Sequence, residues 1–416
     1  MSLWSHRDFR RLWVGDTISQ FGSSIGHTVV PLLAAGALAA TPFEMGVLSA
    51  ATTAAFLVIG LPAGVWVDRL RRRPVMLTAD LVRAALLLSV PVAWWAGVLS
   101  LAQLVVVSLL VGAATVMFDV AYQSYLPALV GRDQLVEGNT KLQTSQSVAH
   151  VSGPSLAGLA AQAFGAANGV LATGVGYLVS AWALLRIRTA EPEPDRAART
   201  GLRREIGEGL RFVLGDRSLR AIALCTATAN FFGSAGLALQ VLFLTRHLDL
   251  SEGAAGLLLS VAGAGGLLGA VTAGWWTARF GQTRTIWLVL LVTNPLGLLI
   301  PLAAPDWRLG LFVVGELAVA YGGLVYNIAQ LSYRQARCPD RLLGRMNASI
   351  RFVVWGVIPL GGLLGGALGG WIGIVPTLWI GFGGQALAGL WVFFSPLRGQ
   401  RDLAEARTAE PERSPS

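Results

Sequence analysis

Charge, cysteine and lysine are all scarce in this 416-residue chain, and each scarcity removes a class of function. Only 13% of residues are charged while 54% are hydrophobic, and the mean hydropathy is +0.60. A soluble globular chain is not that apolar. The two cysteines are Cys225, inside an apolar run, and Cys338, in a basic turn; they support neither a disulfide framework nor a metal site. Lys141 is the only lysine and follows Thr140, so no Gly-Lys-Ser/Thr phosphate loop exists and nucleotide hydrolysis is not the energy source. No His-Glu-x-x-His, Gly-x-Ser-x-Gly or cysteine-nucleophile constellation appears, which leaves an embedded enzyme without a centre. Neither cofactor nor metal is expected.

What the chain does have is apolar runs long enough to cross a bilayer, each of about 20 residues or more. The first is Val14–Leu38, interrupted by Asp16, Gln20 and His27 and too long for a signal peptide. Others follow at 45–67, 75–96, 100–122, 140–164 and 168–187. After a hydrophilic stretch come six more, at 219–244, 253–277, 285–304, 309–332, 346–369 and 374–394. The expected fold is therefore all-α and membrane-embedded, with a first six-helix bundle at 1–187, a cytoplasmic linker at 188–217, a second bundle at 218–395 and a polar tail at 396–416. The net charge of +9 resides almost wholly in arginines of short turns. That pattern fits the positive-inside rule rather than nucleic-acid binding. With both termini cytoplasmic, only Arg246 and Arg308 fall in outer loops.

The halves repeat. Gly46, Ala63, Gly64, Trp66 and Arg69 recur 210 positions later as Gly256, Ala273, Gly274, Trp276 and Arg279, with Asp68 replaced by Ala278. Parallel repeats of this kind describe two bundles related by an axis along the membrane normal. The turn Gly64–Leu77 carries Gly64, Asp68, Arg69, Arg72 and Arg73 in the order Gly-x-x-x-Asp-Arg-x-x-Arg-Arg. It resembles the loop between helices 2 and 3 of major facilitator superfamily transporters, with Arg71 where that family usually has glycine. Span 5 carries Gly153, Pro154 and Gly158 in a stretch similar to the Gly-Pro-x-x-Gly-Gly signature of the superfamily's exporters, with Ala157 for one glycine. A structural kink would use the same residues. The whole chain looks like the macrolide- and siderophore-exporting branch, although the basic residue that many proton-coupled drug exporters carry in helix 4 is missing from Leu101–Met117.

The resemblance implies a secondary transporter in the inner (plasma) membrane, functional as a monomer, that exports a small amphipathic compound by proton antiport. An importer or lipid flippase on the same fold is the alternative. It also implies that Asp68, with Arg69 and Arg72, holds the cytoplasmic side closed through the start of helix 11. Ionisable groups inside spans are expensive and so become candidates. Glu316 and His27 are the proton-coupling candidates, with a hydrogen-bonded structural role the competing reading of each. Asp80 and Arg83, three apart on one helix face, are expected to neutralise each other, and Arg351 to pair with Asp119 or snorkel. Gln20, Asn230, Gln240, Asn294 and Asn327 supply the neutral hydrogen-bonding groups of a mostly apolar pocket.

Overall fold

The computed structural model describes residue 3 and residues 6–68, 70–130, 134–189, 202–338 and 340–399. Among these the regular structure is helical. The helices are α1 (Arg7–Gly36), α2 (Pro42–Asp68), α3 (Arg72–Trp95), α4 (Leu101–Val130), α5 (Leu135–Phe164) and α6 (Ala166–Arg186). Then follow α7 (Leu202–Gly215), α8 (Arg217–Leu242, ending in a π turn at Phe243–His247) and α9 (Glu252–Phe280). The last are α10 (Gln282–Thr293, continued by a 3-10 stretch at Asn294–Leu302), α11 (Leu309–Arg337), α12 (Asp340–Trp371) and α13 (Ile374–Phe393).

Ten of these helices are long and apolar enough to cross a membrane. The remaining long ones, α1 and α5, have 30 residues each but break their apolar surface with groups such as Asp16, Gln20, Gln143 and His150. Together they make the twelve crossings of an all-α membrane protein. The repeat shows in the helix starts: α2 begins at Pro42 and α9 at Glu252, α3 at Arg72 and α10 at Gln282, each pair 210 residues apart. The surface is apolar where lipid would meet it, with Val58, Val271, Phe164 and Trp371 all exposed. In water this would be a liability; in hydrocarbon it is the required face.

Local chemistry sets the helix ends. Thr41 and Glu44 form a reciprocal capping box at α2: the Thr41 hydroxyl accepts from Glu44 N–H, and Glu44 Oε2 accepts from Thr41 N–H at 2.7 Å. Asp216 accepts from the N–H groups of Ser218 and Leu219 to cap α8, and its other oxygen receives Arg337 Nε at 2.7 Å. Gly165 and Gly281 turn between helices at φ +83° and +86°, where a side chain would be strained. The 3-10 stretch of α10 begins where Pro295 removes a backbone donor. At the start of α1, burial raises the Asp8 carboxyl, but donors from Thr189, Arg188 and Arg11 outweigh it and hold the group down at about 2.

The linker expected at 188–217 contains a helix. Its second half is α7, which places Val213 and, partly, Phe212 against an apolar core built from Leu219, Ile222, Val325 and Val392. Residues 190–201 of that linker and the tail beyond 399 lie outside the described residues.

Contacts divide the chain into two compact units. The first contains Met1–Arg199 together with Ala238–Ser260 and Gly362–Ile374; the second contains the rest. The two added segments join the first unit through glycines. A Cβ built on Gly46 would lie 2.6 Å from Gly366 Cα, so α2 and α12 touch backbone to backbone there. Gly158 of α5 and Gly256 of α9 meet in the same way. Arg246 adds hydrogen bonds to the carbonyls of Ala35 and Ala40 at the end of α1.

Candidate functional site

Each unit has its own polar interior. In the first unit the charges gather on α1, α3 and α4. Asp80 and Arg83 are fully buried and paired with each other, one turn apart on α3. The Arg83 guanidinium is sandwiched between the rings of Phe118 at 4.4 Å and Tyr177 at 4.2 Å, and donates to Thr115. Such stacking suits a delocalised cation in a dry environment. Asp16 on α1 is only 4% exposed and lies within electrostatic reach of Asp80, Asp119 and Arg83. Its one direct side-chain contact is a long one, from Gln20 at 3.5 Å. Two buried carboxylates, Asp16 and Asp80, thus lie near one guanidinium, which is paired with Asp80. His27, also on α1, is exposed and lies within electrostatic reach of His150 on α5.

In the second unit the polar groups line a cavity of about 750 Å³, within the size range of small-molecule sites. Five helices contribute amides: Asn230 from α8, Asn294 from α10, Asn327 and Gln330 from α11, Asn347 from α12 and Gln385 from α13. Several are fixed by backbone carbonyls, with Asn230 donating to Val354 at 2.9 Å and Asn294 to Gln385 at 3.1 Å. Tyr326 closes one wall through its hydroxyl, 2.6 Å from that of Thr226. Trp355 supplies an aromatic face, with the Arg351 guanidinium 5.5 Å above its ring. Arg334 is 7% exposed and reaches into the cavity from α11.

Of the sequence-derived pocket residues, Asn230, Asn294 and Asn327 come together in this cavity. Gln20 and Gln240 belong to the first unit and do not line it. Glu316 is half-buried on α11, away from the cavity lining and already partnered. Asp119 and Arg351 fall in different units. Missed by the sequence were Gln330, Arg334 and Asn347; the signal was the spacing of Asn327, Gln330 and Arg334, which puts all three on one helix face.

The turn motif is partly described. Gly64 and Asp68 fall in α2. Arg69 lies outside the described residues, as do the Asp68 side chain and the inferred contact of Asp68 with helix 11. Arg73 donates from Nε to the Leu184 carbonyl and from Nη2 to that of Leu185, both at 2.9 Å, which ties α3 to the end of α6. In α5, a Cβ on Gly153 would collide with Ser24 of α1, and the carbonyl of Pro154 sits against Gly256. These positions are where α5 meets α1 and α9.

The family model of the Major Facilitator Superfamily matches residues 12–355. The chain is 28% identical over 374 residues to the multidrug efflux pump Tap of Mycolicibacterium fortuitum, covering 87% of this chain and 89% of the pump. It is 29% identical over 340 residues to the Tap pump of Mycobacterium tuberculosis, covering 78% of each. Among solved structures, the nucleoside transporter NupG superposes with a TM-score of 0.75 at 12% identity, over 93% of this chain and 99% of that one. A bacterial homologue of the human lysosomal transporter Spinster gives 0.70 at 16% identity, over 93% and 96%.

Proposed function

The chain belongs to the major facilitator superfamily, a transporter family rather than an enzyme family, and from that premise we propose that it exports small amphipathic compounds across the plasma membrane by proton antiport. The observation that carries the reading is the amide-lined cavity of the second unit. Neutral hydrogen-bonding groups on several helices, with Tyr326 and Trp355 beside them, accept varied drug-like bodies without demanding one exact partner. The relatives named as multidrug efflux pumps, matched over most of both chains, support the export direction. So does the Gly153–Pro154–Gly158 stretch. Both termini are cytoplasmic in this reading, and the monomer is the working unit.

The energy comes from protons. Asp16, buried beside Asp80 and Arg83, is the carboxylate best placed to carry one. Glu316 and His27 are the other candidates. Expression in a susceptible strain stripped of its own efflux pumps tests the function. Lower accumulation of amphipathic drugs, reversed by a protonophore, is the expected result. Unchanged accumulation across a broad drug panel would sink the export reading.

A further inference from the structure

In the cavity of the second unit, a buried cation meets no anion among the described residues. Arg334 is more than nine-tenths buried, yet its hydrogen-bond partners among the described residues are neutral: Nη1 donates to Gln330 Oε1 at 2.9 Å and Nη2 to Asn347 Oδ1 at 2.9 Å. Its Nε–H is buried without an acceptor. A guanidinium has five N–H groups in one plane, so a fork of unused donors remains. Arg351 adds a second positive charge to the lining. Among the described lining residues there is no aspartate or glutamate.

A buried charge of this kind is normally paired, because the cost of removing it from water is repaid only by a counter-ion with good geometry. Arg83 in the first unit shows the paired case, with Asp80 on the next turn. At Arg334 the cavity stands where the counter-ion would be. The amides of Gln330 and Asn347 hold the guanidinium in place without neutralising it. Its planar donor edge matches the two oxygens of a carboxylate.

We propose that this cavity selects amphipathic molecules bearing a carboxylate, with Arg334 receiving the anionic group and Asn230, Asn327 and Trp355 contacting the body. The proposal rests on the transport reading above and names its substrate class. Arg334 lies 25 residues along α11 from Leu309, roughly 38 Å at 1.5 Å per residue, so the anion sits at the end of the cavity nearest the helix C-terminus. Gln330 sets the selectivity indirectly, as the neutral positioning residue of the guanidinium.

The test uses full-length protein in a neutral detergent and two fluorescent probes, dansyl-phenylalanine and its carboxamide, which differ only in the charged group. Titration of the wild type is expected to favour the acid by about tenfold or more, the size of a charge-assisted hydrogen bond. Arg334→Gln should bring the acid-to-amide ratio of Kd values close to one. Gln330→Glu should do the same, because an isosteric carboxylate already 2.9 Å from Nη1 becomes the missing counter-ion and competes with the ligand. That variant adds an attractive pair, so it keeps the proposal testable if Arg334→Gln does not fold. A wild-type ratio near one, a ratio unchanged in Gln330→Glu, or no binding of either probe would overturn the proposal. Failure of drug export in cells alongside an intact acid preference would instead overturn the export reading and leave the anion site standing.

Discussion

At the scale of single residues, the account turns on which carboxylate carries the proton. Asp16 and Glu316 differ in setting. Asp16 is almost wholly buried and lies near a guanidinium paired with a second carboxylate, whereas Glu316 is half-buried and partnered. A group that exchanges a proton during transport must sit where its charge matters to the conformational balance. Asp16→Asn is therefore expected to lower gradient-driven export by about tenfold or more, within the usual range of coupling energies. Substrate exchange without a gradient should survive. Glu316→Gln should retain most gradient-driven export. Flux assays in everted vesicles decide between them: the reverse pattern would return the coupling role to Glu316. An ionisable residue inside an apolar run announces itself in the sequence by its cost, and that reading singled out Glu316 and His27 rather than Asp16. The surroundings of Asp16 were not legible there, because Asp16, Asp80 and Asp119 are far apart in the chain and only helix packing brings them together. In the sequence alone, Asp16 is one of three polar interruptions of an apolar run.

At the scale of elements, the helices follow from apolar length, and their ends from capping groups and glycine. What the sequence hides is where a polar stripe continues past an apolar run. Span 10 ends near 332 by hydropathy, but α11 continues to Arg337, and that extra turn carries Arg334 into the cavity. Hydropathy sees the arginine as a turn; the helix period places it on the face of Asn327 and Gln330. Likewise Cys338 reads as an accessible turn cysteine, yet it is buried at the end of α11 and would report poorly on sidedness. The α5 motif also gains meaning from packing. Gly158 and Gly256 admit no side chain between them, since a Cβ on Gly256 would lie 2.8 Å from Gly158 Cα. Gly158→Leu should therefore force α5 and α9 apart, with loss of transport and a lower melting temperature in detergent. Small-to-large changes in packed sites typically cost about 1–3 kcal/mol. Wild-type transport and melting in that variant would show that the close approach is dispensable.

At the scale of the whole molecule, the repeat at 210 residues and the arginine-rich turns read directly from the sequence as a twelve-helix transporter. Substrate chemistry did not, because it depends on which faces of five helices line one cavity. Among the described residues, the first unit buries Asp16 and Asp80 against Arg83, whereas the second buries Arg334. In the proposed function, protons belong with the former and substrate with the latter. In the proposed function inward proton movement drives export, and a single vesicle experiment tests that coupling. Everted membrane vesicles containing the protein are acidified inside by respiration and followed with a fluorescent reporter of the pH gradient. Addition of a transported drug should raise the lumenal pH while the drug accumulates, and both signals should vanish with nigericin. Drug accumulation with no change in lumenal pH, or accumulation that persists once nigericin has collapsed the gradient, would contradict the account.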